Sequence, residues 1–223
     1  MAKEATFINH LSTFMSNRNS RELVLCMGPM FSGKTTLLYK TTQFINTFVK
    51  TKADHQNIHS IVINHSNDTR DNNAVISSHD PIINGAIPCV KTNSLFSPTI
   101  LEFIYNHKTM IILVDEAQFF NRLYDFVEFC FKARQTMNKN IFIGCFGLNA
   151  DFNRQPIGKL HEVIPYATDV IILSGKCSKC IRPSRCSFLT MPVKRNGNTS
   201  NIIIGGEDKY IPLCHSCYNE QLY

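Results

Sequence analysis

Two stretches carry residue types that could do chemistry at a phosphate. GPMFSGKT, Gly28 to Thr35, matches G-x-x-x-x-G-K-[ST] at every fixed position. ILVDEAQFF, residues 112–120, ends an apolar run in two carboxylates, an amide and two aromatics. In the first stretch the glycines let the backbone curl so that successive N–H groups point inward, and the N-terminus of the following helix adds partial positive charge. Gly28, Pro29, Met30, Phe31, Ser32, Gly33, Lys34 and Thr35 are therefore read as a cradle for ATP, with Lys34 reaching the β- and γ-phosphates and the Thr35 hydroxyl helping to hold Mg²⁺. A fortuitous glycine-rich turn is the alternative, and the strand before and helix after argue against it.

In the second stretch, Asp115 at the C-terminal end of a buried strand can reach the Mg²⁺ shell beside Thr35. Glu116 is then free to act as a base on an attacking oxygen. DEAQ is similar to the DEAx box of superfamily 2 helicases, in which the glutamate activates water. Strand translocation needs a second lobe of the same kind, and residues 117–223 leave neither room nor a second such pattern. A merely solvated acidic turn is disfavoured because both acids follow an unbroken apolar strand. Phe119 and Phe120 next to the base offer a surface on which a flat ring stacks, so the acceptor is read as a nucleoside rather than water.

Of the nine cysteines, Cys26, Cys89, Cys130 and Cys145 sit in apolar stretches without a pairing pattern. Cys177-x-x-Cys180 and Cys214-x-x-Cys217 form two clips separated by 33 residues, the spacing of a tetrahedral four-thiolate Zn²⁺ site. Four thiolates leave no open position, so the metal is structural and closes a loop that could not bury a core of its own. His215 and Cys186 are neighbours of this set and are read as bystanders. A redox role for the clips is disfavoured by their ribbon-like separation.

These groups need a frame. ELVLCM (22–27) predicts a short buried strand before the phosphate loop, and KTTLLYKTTQFINTFVK a helix after it. SIVINH (60–65), MIILV (110–114), NIFIGCFGL and DVIILS predict four further strands, alternating with helices over SPTILEFIYNH and NRLYDFVEFCFKARQTM. Residues 51–59 read as a polar, mobile link, and 72–93 as a turn-rich connection with two short extended runs. The whole is an α/β class fold: a P-loop (RecA-like), mainly parallel sheet over residues 21–173 with helices on both faces, followed by a small zinc-binding domain over 174–223. Residues 1–20 show weak periodicity and are expected to be a flexible extension.

The composition, 43% hydrophobic and 18% charged, is that of a globular protein, and no apolar stretch approaches the roughly 20 residues a membrane span needs. A cytoplasmic location is expected, with no membrane partner. The net charge of +6 is concentrated at the end: residues 174–223 hold seven Lys or Arg against three acids. That bias suits a polyanion or a nucleotide triphosphate, so a nucleic-acid-dependent ATPase with a zinc-ribbon binding module stands as the alternative function. A third reading, an adaptor that binds nucleotide without chemistry, leaves Glu116 and Phe119 without a purpose.

Taken in order, GPMFSGKT, NDTR (67–70), HD (79–80), DEAQFF (115–120), GLNADFNRQPIG (147–158), the first cysteine clip, IIGGEDKY (203–210) and the second clip resemble the type II thymidine kinases, cellular and poxviral. The resemblance spans residues 21–217. It implies transfer of the γ-phosphoryl group of ATP to the 5′-hydroxyl of thymidine, and of deoxyuridine, in pyrimidine deoxynucleotide salvage. Glu116 takes the place of the family's general base, Asp115 lies near the metal, and Asp68, Arg70 and Gln118 join the nucleotide site. Met30, Phe119, Leu148, Phe152 and Phe188 would surround the base. Ile203, Ile204, Gly205, Gly206 and Tyr210 would belong to a lasso, residues 191–210, that closes over the nucleoside. A homotetramer, feedback inhibition by thymidine triphosphate and the absence of a stable nucleic-acid partner are also implied. The chain departs from the family pattern at CSFLTMPV, where Leu189 replaces a hydroxyl residue beside the thymine ring, and at Asp151, which replaces Thr or Ser.

Overall fold

Apolar strands must be covered on both faces, and those of this chain assemble with the short strand Val90–Thr92 into one six-stranded sheet in which every pairing is parallel. The computed structural model describes residues 2–17, 22–51, 57–68, 74–77, 85–151, 153–180, 186–187, 189–192 and 210–220; of 2, 77, 186–187, 189–192 and 210 it gives the backbone alone. In chain order the elements are α1 (Ala2–Ser16), β1 (Glu22–Met27), α2 (Lys34–Thr51), β2 (Ile58–His65), β3 (Val75–Ser77), β4 (Ala86–Pro88), β5 (Val90–Thr92), α3 (Pro98–Asn106) and β6 (Thr109–Val114). They continue with α4 (Leu123–Thr136), β7 (Asn140–Gly147), β8 (Asp169–Ile172), β9 (Gly175–Lys176), β10 (Cys186–Ser187), β11 (Leu189–Pro192), β12 (Tyr210–Leu213) and α5 (His215–Asn219).

The sheet order is β5-β2-β6-β7-β1-β8. Along β1, Leu23 and Leu25 face one layer and Val24 and Cys26 the other, the period-2 alternation of a strand. The first layer is closed by α3 and α4, whose Ile100, Ile104, Leu123, Phe126, Val127 and Cys130 are all fully buried. On α4 these positions recur at i, i+3, i+4 and i+7, one helical stripe. The second layer is closed by α1 and α2.

Two expectations are corrected. Residues 1–20, read as a flexible extension, contain a helix whose Phe7, Leu11, Phe14 and Met15 are completely buried. Phe7 meets Phe142 edge-on at 5.9 Å and Phe146 at 5.0 Å, and Gly144 makes the approach workable, since a Cβ there would lie 2.8 Å from the Phe7 ring. His10 sits between Glu22 at 3.3 Å and Asp169 at 3.2 Å, tying the helix to β1 and β8. The apolar stripe is narrow and interrupted by Asn, His, Thr and Ser, so its helical period is weak in sequence; contacts distant along the chain hold it. The sheet also has a sixth strand, the three-residue β5, paired with the end of β2. The link at 51–59, expected to be mobile, lies largely outside the described residues.

Candidate active site

Register brings the chemistry to one edge. Met27 pairs with Gly147, Val114 with Cys145 and Ile63 with Val114, so the chain leaves β1, β7, β6 and β2 at nearly one level. Gly28, Leu148, Asp115 and the His65–Asp68 turn therefore emerge together at the carboxyl ends of parallel strands, where ligands of such sheets bind.

The phosphate loop begins with Gly28, whose N–H donates to the Gly147 carbonyl at 3.2 Å. No side chain fits there: a Cβ would stand 2.6 Å from Ser32 Oγ and 2.9 Å from the Leu173 carbonyl. Gly33 has φ 86°, a left-handed turn that feeds directly into α2 at Lys34. Lys34 is buried, and its Nζ donates to the carbonyls of Gly28 at 3.0 Å and Pro29 at 2.7 Å, so the ammonium lies inside the curl. Ser32 Oγ is shielded from water and has no hydrogen-bond partner among the described residues. A cradle with an inward cation, a helix N-terminus and an unsatisfied hydroxyl fits the phosphates of ATP.

Asp115 is 2% exposed, and its N–H donates to the Ile63 carbonyl at 2.8 Å. The next residue, Glu116, adopts the left-handed conformation, φ 50° and ψ 38°, uncommon for a side chain of its kind. Its carboxylate accepts a hydrogen bond from Gln118 Nε2 at 2.6 Å. Gln118 Oε1 in turn accepts from the Leu148 N–H at 3.0 Å. Phe119 lies 5.8 Å from the His65 ring, and Phe120 meets the same ring edge-on at 4.7 Å. His65 Nδ1 accepts from the Asn67 N–H at 3.1 Å, which leaves the proton on Nε2. Burial holds His65 below the ordinary imidazole range, with Glu116 pulling weakly the other way. Asp68 is buried on the same edge, its carboxylate accepting from Asn64 Nδ2 at 2.9 Å and its carbonyl from Lys91 Nζ at 2.9 Å.

The sulfur atoms of Cys177, Cys180, Cys214 and Cys217 all lie within 4.8 Å of one another. Cys180 Sγ is 3.5 Å from Cys214 Sγ and 3.3 Å from Cys217 Sγ, too long for disulfides and close to the ~3.8 Å edge of a tetrahedron with metal–sulfur bonds of about 2.3 Å. Burial pushes the Cys177 thiol up, but the backbone N–H groups around it prevail and bring it to about 6. The donor set fits Zn²⁺. By contrast, burial pushes Cys26 and Cys145 up to about 12, which makes them inert packing residues. His215 points to Asn219 at 3.2 Å and takes no part in the cluster.

The thymidine kinase family profile matches residues 21–218. The chain belongs to the thymidine kinase family. It is 34% identical over 196 residues to the thymidine kinase of Amsacta moorei entomopoxvirus, covering 87% of this chain and 96% of that one. It is 32% identical over 206 residues to thymidine kinase a of Arabidopsis thaliana, covering 92% and 77%, and 27% identical over 198 residues to the cytosolic thymidine kinase of Gallus gallus, covering 88% and 76%. The match leaves α1 before its start.

Within this thymidine kinase fold, the structure brings Gly28 to Thr35, Asp68, Asp115, Glu116, Phe119 and Leu148 to one sheet edge. Arg70, Phe152, Phe188, Ile203, Ile204, Gly205 and Gly206 lie outside the described residues, as does the His79-Asp80 pair. Tyr210 is described by its backbone, which opens β12 opposite Pro192. Leu189 pairs in the same ladder with Leu213. Gln118, expected at the nucleotide, has both ends of its carboxamide engaged by Glu116 and Leu148. Asp151, which departs from the family pattern, organises its own loop: its Oδ1 accepts from the N–H groups of Asn153 and Gln155, each at 2.8 Å. Arg154, which the sequence did not single out, lies 5.0 Å above the Tyr218 ring and links that loop to α5. Its place inside GLNADFNRQPIG was the available signal.

Proposed function

We propose that this chain is an ATP-dependent thymidine kinase that phosphorylates the 5′-hydroxyl of thymidine, and of deoxyuridine, in pyrimidine deoxynucleotide salvage. The observation that supports this reading most is the shared sheet edge, with Lys34 in its loop on one side and Glu116 beside Phe119 on the other. The nucleoside ring stacks by Phe119, with Met30, Leu148, Phe152 and Phe188 completing the wall. Glu116 accepts the proton of the 5′-hydroxyl as that oxygen attacks the γ-phosphorus. The bond from phosphorus to the β–γ bridging oxygen breaks, and ADP leaves with that electron pair. Lys34 and the loop N–H groups balance the charge on the phosphate oxygens, and Asp68 and Arg70 border the same site. Bound Mg²⁺ would neutralise the β- and γ-phosphate oxygens from a position held by Thr35 and Asp115. Closure of residues 191–210, with Ile203 to Gly206 and Tyr210 over the nucleoside, excludes water and keeps the enzyme from hydrolysing ATP.

The four thiolates would hold a structural Zn²⁺ that anchors both ends of that closing segment. The same reading takes the protein as a cytoplasmic homotetramer inhibited by thymidine triphosphate. Among the described residues no helix is long and apolar enough to cross a membrane.

The test is a panel of thymidine, deoxyuridine, deoxycytidine and purine deoxynucleosides with ATP and Mg²⁺, scored for 5′-monophosphate. ADP release that depends on thymidine is expected. Glu116→Gln should lower kcat by about 10²–10⁴-fold while ATP still binds. Full activity in that variant would remove the assigned base, and ATPase stimulated by DNA but not by thymidine would return the nucleic-acid reading.

A further inference from the structure

We propose that Gln118 is a positioning residue that fixes the carboxylate of Glu116 and couples it to the 147–158 loop, rather than a ligand of the nucleotide. The inference rests on the assignment of Glu116 as the base. Three observations carry it.

The first is that both ends of the carboxamide are engaged. Its Nε2 donates to Glu116 Oε2 at 2.6 Å, its Oε1 accepts from the Leu148 N–H at 3.0 Å, and the residue is 1% exposed. Turning it toward a phosphate would break both bonds and leave the half-buried N–H of Leu148 without this acceptor.

The second is that the surroundings are shaped to this side chain and its backbone. A Cβ on Gly147 would stand 2.4 Å from Gln118 Oε1, and one on Gly158 would fall 1.7 Å from the Gln118 carbonyl. Both ends of the 147–158 loop therefore close on Gln118 through residues that must lack a side chain, and Gly158 adopts φ 59° to do so.

The third lies in Glu116 itself. Its left-handed backbone aims the side chain in an unusual direction, and a glutamate has three rotatable bonds whose freedom must be removed for in-line proton transfer. The amide removes it. Because the same amide is held by the N–H of Leu148, a shift of the loop against the nucleoside is passed to the base within one side chain.

The experiment compares wild type, Gln118→Met and Gln118→Glu in kcat, KM for thymidine, and calorimetric Kd for ADP with Mg²⁺. Gln118→Met keeps the length and loses the amide; Gln118→Glu keeps the acceptor for Leu148 and loses the donor. Both should lose about 10–100-fold in kcat, with KM and Kd within about threefold of wild type. An unchanged kcat would overturn the proposal, and so would a Kd weakened about tenfold or more, which would return Gln118 to the nucleotide. Should neither variant fold, a crystal structure of wild type with ADP and thymidine decides: the amide on Glu116 supports the proposal, and the amide on a phosphate oxygen overturns it. Wild type that leaves thymidine unphosphorylated would overturn the assigned function instead, which separates the two failures.

Discussion

The sheet edge and the cysteine module keep their functional atoms in place by different means. At the edge, Gly28, Asp115 and Leu148 are set by strands whose residues are almost all buried, in two apolar layers that each hold about twenty buried residues. The cysteine module has a buried cluster of five, Cys177, Leu213, Cys214, Cys217 and Tyr218, and three of these are thiols of the four-cysteine group that could hold a metal ion. Among the described residues its strands β9 to β12 pair two by two and do not join the main sheet. A core of that size does not by itself offset the conformational entropy of its residues, so a metal held by the four thiols would contribute most of the module's stability. The lesson is that the sheet edge is set by strand register, whereas the four thiols are brought together by a few short strands and turns around a small core.

That contrast can be broken in three ways. The largest effect is expected from metal removal: a chelator should open the 174–220 region to protease and hydrogen exchange, since structural zinc sites contribute on the order of 10 kcal/mol to folding. The sheet should keep its protection, and simultaneous loss of both would show that the two regions fold as one. Next is the aromatic stripe of α1. Phe7→Ala removes a fully buried ring from the sheet layer and should lower stability by about 3–5 kcal/mol in urea melts, with metal content unchanged. The smallest effect is expected at the seam. Arg154→Ala deletes the contact over Tyr218 and should cost about 0.5–1 kcal/mol, read as a slightly easier chelator-induced opening. A null result there would mean that the loop at 151–155, already bonded by Asp151, stands without the arginine.

What could be read from sequence follows the same division. The phosphate loop, the carboxylate pair and the cysteine clips are short strings whose spacing is itself the chemistry, and local order was enough to locate them. Five of the six strands were legible because each is an apolar run between turns. Less legible were features that depend on distant partners. The α1 stripe is weakly periodic, and it is explained by Phe142, Phe146 and a glycine at position 144. Strand β5 is three residues long and gains its identity only from β2. Gln118 was placed at the nucleotide by the family resemblance of DEAQFF, and only its bonds to Glu116 and the Leu148 N–H, which is 30 residues away along the chain, show where the amide turns in this structure. Asp151 looked like a departure until its hydrogen bonds to Asn153 and Gln155 gave it a local task.

The helix that precedes the family match also bears on how the protein is handled. A chain trimmed to begin at residue 21 would keep every recognisable signature, yet strip the cover from Phe142, Phe146, Val24 and Ile171. It would leave a greasy plate on the back of the nucleotide fold, and such a preparation would clump before it could be assayed.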